Sequence, residues 1–470
     1  MVVTNNFQEI YEAASKIPAL NLPPHKENVL KIEFGDFQNA KTVYIGSEPP
    51  LPFARTDIFH ADICGWRRLT ADDKDCKAVY EVSFDIKGSD FTFKPGDTIG
   101  VVPQNNKSEV DFIINHLNLT SVADSTYTLS INSGAKTKAP AHIPHVSTLR
   151  HVLTHCVDIR SVLKKLFLLA LSRYTKEETQ RRVLEYLCSK EGAAAYTTHI
   201  LNKNISLLDL LANFNSCQPP IEILLQHLPR LLPRPYSIVN SPLKEADMLK
   251  ICFSVIDIGY NRKGLTTGWI ENMILSKVDS LEDGLKNLSL TNCRKIPIYL
   301  RKNVNCFQLP DKIDTPLILV GPGTGIAPFI GFLEHIECSK NGDSKENIPC
   351  QTWVFFGSRN PKLDFIYKKE LQDFLEKNIL SNLTTAFSRC ENSEQKYVQD
   401  AIMENGENVV QLIKEGAKIF VCGDLKTMAA QVKDTIVNCL VKYGGHTMEE
   451  AENRVCEMQL KKSYIVDIWN

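Results

Sequence analysis

From residue 313 to the C-terminus, short apolar runs alternate with helical stretches at a spacing that leaves few folds open. LILV (317–320) precedes a helix from about 326, TWVFFG (352–357) one from about 364, LTTAFS (383–388) one near 398–414, and KIFVCG (418–423) one near 425–443. A further helix and the strand-like YIVDIW close the chain. Strand, helix and strand at this interval predict a parallel, doubly wound sheet.

Upstream the period is different. Tyr80, Val82, Phe84 and Ile86 alternate with Glu81, Ser83 and Asp85, the two-residue repeat of a half-buried antiparallel strand. FKPGDTIGVVP then reads as a turn entering another strand, so a β-barrel or sandwich begins here. Between about 105 and 230 the repeat lengthens to a helical one, with Leu149, Val152, Leu153, Cys156, Leu163, Leu166 and Phe167 on one stripe. Strand signals resume at 236–239, 251–257 and 296–301. The expected class is α/β plus β: residues 1–54 a leader or linker, 55–310 an antiparallel β-barrel with a helical insert at about 105–230, and 311–470 the doubly wound parallel sheet. Proline pairs at 23–24 and 49–50 and weak periodicity motivate the leader.

Composition narrows the function classes. At 470 residues the chain is too long for one core. Its 54 basic and 55 acidic residues leave a net charge of −1, so no global field draws nucleic acid or an anionic membrane. Fourteen cysteines lie scattered, with no C-x-x-C pair and no clustered ligand set for a metal, on a chain with no secretory signal. They read as reduced thiols of an intracellular protein, and cytosol is the expected location. The uncharged stretch from Thr315 to Leu333 matches a membrane span in length, but GPGTG at its centre fits a strand, a turn and a helix start better.

In an open α/β sheet, ligands bind beyond the carboxyl ends of the strands. Gly321, Gly323 and Gly325, around Thr324, follow LILV at such an end and let a backbone approach a phosphate or ring, with a helix N-terminus behind them. The alternative is a tight turn with no ligand. Ser358 and Arg359 end the second strand of that sheet, Ser388 and Arg389 the third, and Lys396 with Tyr397 follow. Together these cations favour a nucleotide bearing a 2′-phosphate over one with a free hydroxyl. In RPYS, Arg234 offers a cation for a diphosphate, Tyr236 a ring to stack on a flat ring, and Ser237 a hydroxyl. GLTTG (264–268) offers amides and the Thr266 and Thr267 hydroxyls to a second diphosphate contact, against the alternative of a plain β-turn. Cys422, Asp467 and Trp469 are core packing if taken singly. With Ser237 they make a dry pocket with the few polar groups that hydride transfer requires.

RPYS, GLTTG, GPGTGIAPFIGFL, FFGSR, FSR, KYVQD, VCGD and the terminal DIW stand in the order and spacing of the diflavin reductases, and residues 55–470 resemble that family. The resemblance implies an NADPH-dependent flavoprotein oxidoreductase. Arg234, Pro235, Tyr236 and Ser237 would contact FAD, with Gly264, Leu265, Thr266 and Thr267 at its diphosphate. Trp469 would stack on the flavin and swing away to admit nicotinamide. Lys77, Gly323, Thr324, Ser358, Arg359, Ser388, Arg389, Lys396, Tyr397, Val398 and Gln431 would hold NADPH, and Ser237, Cys422 and Asp467 would line the hydride-transfer site. Gln431 stands where the family often has an acid, a change expected to weaken NADPH binding without abolishing it.

The family begins with a flavodoxin-like FMN domain, which residues 1–50 cannot supply. The chain is therefore expected to be a shortened form, an incomplete product, or a reductase whose FMN partner is a separate protein. CSKEGAAAY, SCQPP, LPRLLPRPYS and DIW resemble most the branch that passes electrons through FMN to cobalamin-bound methionine synthase, renewing its cob(II)alamin form. Two other readings remain: a reductase for another carrier, such as a flavodoxin-like protein or a cytochrome, and a non-catalytic binding module.

Overall fold

The computed structural model describes residues 7–24, 27–35, 41–44, 47–132, 138–259, 262–282, 295–310, 314–341, 351–390, 393 and 395–469. The chain divides into two units, each threaded from three stretches. The first takes Met1–Leu51, Pro103–Leu232 and Asp257–Thr266, and the second Pro52–Val102, Pro233–Ile256 and Thr267–Asn470. In chain order the described strands are β1 (Leu30–Phe34), β2 (Phe59–Arg68), β3 (Val79–Asp85), β4 (Thr98–Val101), β5 (Thr126–Ile131), β6 (Val146–Thr148) and β7 (Arg234–Ser237). There follow β8 (Met248–Ser254), β9 (Lys295–Leu300), β10 (Leu317–Val320), β11 (Thr352–Ser358), β12 (Asn382–Phe387), β13 (Lys418–Asp424) and β14 (Tyr464–Trp469).

The first unit packs helices around a small antiparallel sheet ordered β1-β5-β6. Two sequence expectations change here. The opening residues, read as a leader, supply the helix Phe7–Ser15 and strand β1, and bury Ile10, Ala14, Leu30 and Ile32 in the core of this unit. The insert at 105–230, read as helical, also contains β5 and β6. β1 pairs with β5 from Leu30↔Ile131 to Phe34↔Tyr127, so its inward residues complete an apolar face that the helical insert alone would leave open. Leu166 leaves the apolar stripe and is 39% exposed. The chain breaks between the helices Leu149–His155 and Lys165–Ser172, so the helical phase is not carried across the gap. Ion pairs stitch the unit's last stretch to its helices: Arg262 to buried Asp209 at 2.7 Å, and the half-buried pair Arg160 and Glu109 at 2.8 Å, with Arg160 Nη1 also donating to the Lys263 carbonyl.

In the second unit, six antiparallel strands run β7-β4-β9-β2-β3-β8. An antiparallel bridge between Ile238 and Ile251, with the Val239 amide on the Lys250 carbonyl at 2.9 Å, joins the two edges and closes the barrel. Its interior holds Ile63, Val82, Phe84, Ile99, Phe253 and Ile298. β3, expected to be half-buried, is buried on both faces, Glu81 being only 8% exposed. The polar face survives burial because Arg67 on β2 donates Nε and Nη2 to the two Glu81 carboxylate oxygens.

The remaining strands form a parallel sheet ordered β12-β11-β10-β13-β14, covered on both faces. The reason lies in LILV. Leu317 and Leu319 join one apolar cluster with Phe329, Phe332 and Phe420, and Ile318 and Val320 join the other with Val409, Val432 and Ile436. A strand whose alternate residues both enter cores must be central, and each such side chain contributes roughly 2 kcal/mol of burial. The single helix expected at 398–414 is two, Val398–Glu404 and Gly406–Lys414. The break lets Gly406 pass beneath Tyr443, whose ring a Cβ would meet at 2.4 Å.

Candidate active site

The sheet order reverses direction between β10 and β13, the switch point at which open α/β sheets leave a crevice. A cleft of about 510 Å³ lies over these strand ends. Pro322, Gly323 and Thr324 enter it from the turn after β10, Ser358 and Arg359 from the end of β11, and Thr427, Met428 and Gln431 from the segment after β13. Ser388, Lys396, Tyr397 and Val398 come from beyond β12, and Lys77 from the connection before β3. Every residue expected to hold the nucleotide lines this cleft except Arg389, which is exposed outside the lining although its amide bonds the Arg359 carbonyl at 2.8 Å.

Local backbone chemistry explains the placement. Gly323 has φ of +56°, a left-handed conformation that glycine adopts without strain, and a side chain there would meet open space. Gly325 is required sterically: a Cβ would lie 2.1 Å from the Cys422 carbonyl, so β10's turn and the end of β13 touch backbone to backbone. Asp400 accepts from the Lys396 and Tyr397 amides at 3.2 and 2.9 Å, capping the helix Val398–Glu404 and fixing both residues on the cleft rim. Gln399 Nε2 donates to Gln431 Oε1 at 2.7 Å, an amide pair in place of the acid expected near 431. The Ser358 hydroxyl is buried without a hydrogen-bond partner, a state that costs about 1–3 kcal/mol unless a ligand satisfies it.

Ser237 ends β7, and its Oγ donates to Asp467 Oδ2 on β14 at 3.1 Å. Asp467 lies in register with Cys422 on β13, so three residues spread over 230 positions of sequence come together. Burial raises the Asp467 pKa above the ordinary 3.8, opposed by the Ser237 hydrogen bond and by cationic Arg301. Burial, aided by Asp467, pushes the fully buried Cys422 thiol well up, so it keeps its proton. Arg301 carried no sequence signal beyond its place at the end of a strand run.

The residues expected to contact the flavin lie on β7 and at the start of a helix. Tyr236 is half-buried and edge-on to Phe253 at 6.1 Å, between half-buried Arg234 and buried Ser237, while Pro235 is exposed. β7 pairs with β4, which in turn lies against β9, where Gly100 leaves room for the Tyr299 ring that a Cβ would meet at 2.4 Å. GLTTG is neither a β-turn nor a strand. Leu265 opens the helix Leu265–Glu282, so Gly264, Leu265, Thr266 and Thr267 form a helix N-terminus, where the first amides have no intrahelical acceptor and the Thr266 hydroxyl is buried and unpartnered. The backbone of Trp469 ends β14, opposite Asp424, and its side chain lies outside the described residues.

Residues that the sequence reading did not mark also line the cleft: Thr70, Val79, Ser254, Asp364, Gln399, Thr427 and Met428. Only Gln399, inside KYVQD, stood in a quoted motif. Among the described residues there is no His/Cys/Asp/Glu group able to hold a metal, and no disulfide. No described helix is long and apolar enough to cross a membrane.

The family models agree with this geometry. The FAD binding domain model matches residues 51–269, and the oxidoreductase NAD-binding domain model residues 319–434. Methionine synthase reductase of Homo sapiens is 37% identical over 100% of this chain and 68% of its own length. The Rattus norvegicus protein of that name is 34% identical with the same coverage. NADPH--cytochrome P450 reductase of Cavia porcellus is 30% identical over 94% of this chain and 62% of its own length.

Proposed function

The chain belongs to the diflavin reductase family, as an FAD-containing NADPH oxidoreductase close to methionine synthase reductase, and from that premise we propose that it supplies electrons that reactivate cobalamin-dependent methionine synthase. The names of its relatives support the acceptor. The Ser237–Asp467 hydrogen bond beside buried Cys422 carries the chemistry, because nothing in a binding module requires it.

When bound, FAD accepts a hydride from reduced nicotinamide and releases electrons singly. The residues present fit both ligands: an unpartnered Ser358 hydroxyl and a ring of cations for NADPH, and an unpartnered Thr266 hydroxyl at a helix N-terminus for a diphosphate. Arg359, Lys77 and Lys396 orient the 2′-phosphate end, with Gly323 and Thr324 meeting the nucleotide from the turn after β10. Arg234 and Tyr236 orient the flavin. Burial gives the Asp467 carboxylate, which accepts the Ser237 hydroxyl at Oδ2, a higher proton affinity than an exposed aspartate, and Cys422 keeps the proton on Sγ. The cytosol is proposed as the place of action.

The test has two stages. FAD-loaded protein should be yellow and bleach with NADPH, and more slowly with NADH; protein that cannot be loaded with FAD refutes the reading. Loaded protein is then given inactive cob(II)alamin methionine synthase or cytochrome c, each with and without an FMN-binding flavodoxin-like protein. Faster reactivation of methionine synthase supports the proposal, and preferential cytochrome reduction favours the reading the P450 reductase relatives suggest.

A further inference from the structure

The segment after β11 is organised around one carboxylate. Asp364 Oδ2 accepts from the Arg359 amide at 3.2 Å and from Arg359 Nε at 3.1 Å, and its Oδ1 accepts from the Asn360 amide at 2.6 Å. The turn is closed by the Asp364 amide on the Asn360 carbonyl, and by the Lys362 amide on the Asn360 side chain at 2.9 Å. Between them, the Leu363 carbonyl accepts the Ala71 amide at 2.8 Å and the Cys76 thiol at 3.4 Å. Ala71 and Cys76 belong to the β2–β3 connection that brings Lys77 into the cleft. A single turn thus ties Arg359 and Lys77 into one frame.

Arginine has five N–H donors in a rigid fork. With Nε on Asp364, the two terminal nitrogens have no recorded partner among the described residues, and they are the pair that grips a phosphate in bidentate fashion. A free arginine side chain loses rotamer entropy on being fixed, and the carboxylate removes that loss in advance. Its own negative charge opposes a phosphate, but three donated hydrogen bonds already offset it. Positioning therefore outweighs repulsion.

We propose that Asp364 is a positioning residue which, by fixing Arg359, sets the preference of this chain for a pyridine nucleotide carrying a 2′-phosphate. The proposal rests on the NADPH reading above. Calorimetric titration with 2′,5′-ADP and with 5′-AMP tests it without involving the flavin. Asp364→Asn should weaken 2′,5′-ADP binding by about tenfold, the scale of one charge-assisted hydrogen bond, and leave 5′-AMP within about twofold. In an Arg359→Ala background the same substitution should have no further effect, since the two residues act as one unit. Asp364→Glu, which keeps the charge on a longer arm, should fall between, and serves if the asparagine variant does not fold. An unchanged or improved 2′,5′-ADP to 5′-AMP ratio, or an equal loss in the Arg359→Ala background, overturns the proposal. Wild-type protein that binds 2′,5′-ADP no better than 5′-AMP overturns the NADPH reading and this proposal with it. Tight binding that ignores Asp364 sinks only the latter.

Discussion

Single side chains at the strand ends separate binding from chemistry. Asp467→Asn removes a carboxylate with raised proton affinity while keeping its size, and should lower kcat for NADPH oxidation by roughly 10²-fold while leaving 2′,5′-ADP affinity unchanged. Ser358→Ala has the opposite profile. It deletes a buried hydroxyl that has no partner in the protein, so the melting temperature should hold or rise while 2′,5′-ADP binding weakens by about fivefold. Calorimetry and a stopped-flow rate distinguish the two. The positions of Ser237, Ser358 and Cys422 at or near strand ends were legible because they sat inside compact strings. Asp364 and Thr70 in loops, and Met428 in the helical turn after β13, were not, because residues that converge only after folding leave no periodic mark. The Ser237–Asp467 bond itself was invisible, since no local pattern links positions 230 apart.

Whole elements were read from their repeats, and the reading failed where the repeat was too short or a tertiary partner overrode it. β10, β11 and β13 announced themselves because continuous apolar runs ending at a glycine have few other uses, and β12 followed from its place in the alternation. β1 is five residues long, and its partner lies some hundred residues onward, so LKIEF alone carried too little signal. GLTTG took the form of a helix start because Thr266 and Thr267 can be buried at the first turn of an eighteen-residue helix. The backbone contact between β10's turn and β13 makes Gly325→Ala a test at this scale. With 2.1 Å to the Cys422 carbonyl and no flexible atom to yield, the turn must shift. Thermal melting should show destabilisation of about 2 kcal/mol or more, and nucleotide affinity should fall with it.

At the scale of the molecule, neither the threefold interleaving of the two units nor the part played by the first fifty residues could be read from periodicity, which reports neighbours along the chain and not partners across it. Two measurements probe the first unit. Asp209→Ala strands the buried Arg262 guanidinium, and urea denaturation should register a loss of about 3–5 kcal/mol. His155, pushed down to about 4 by burial and then by neighbouring His151, stays neutral in the fold and takes up a proton on unfolding. Its contribution is complete above its ordinary 6.5 and is lost as pH falls from there toward 4, so urea midpoints should drop over that window and drop less in His155→Gln. The barrel order β7-β4-β9-β2-β3-β8 has a consequence for biosynthesis. β9, at residues 295–300, is the plank between β4 and β2, both made some two hundred residues earlier. Until the ribosome has delivered Leu300, two finished strands expose bare edges to whatever nascent chain lies nearby. A message cut short before that codon should yield aggregates, and the cell's chaperones would have to shelter both strands while about two hundred further residues are made.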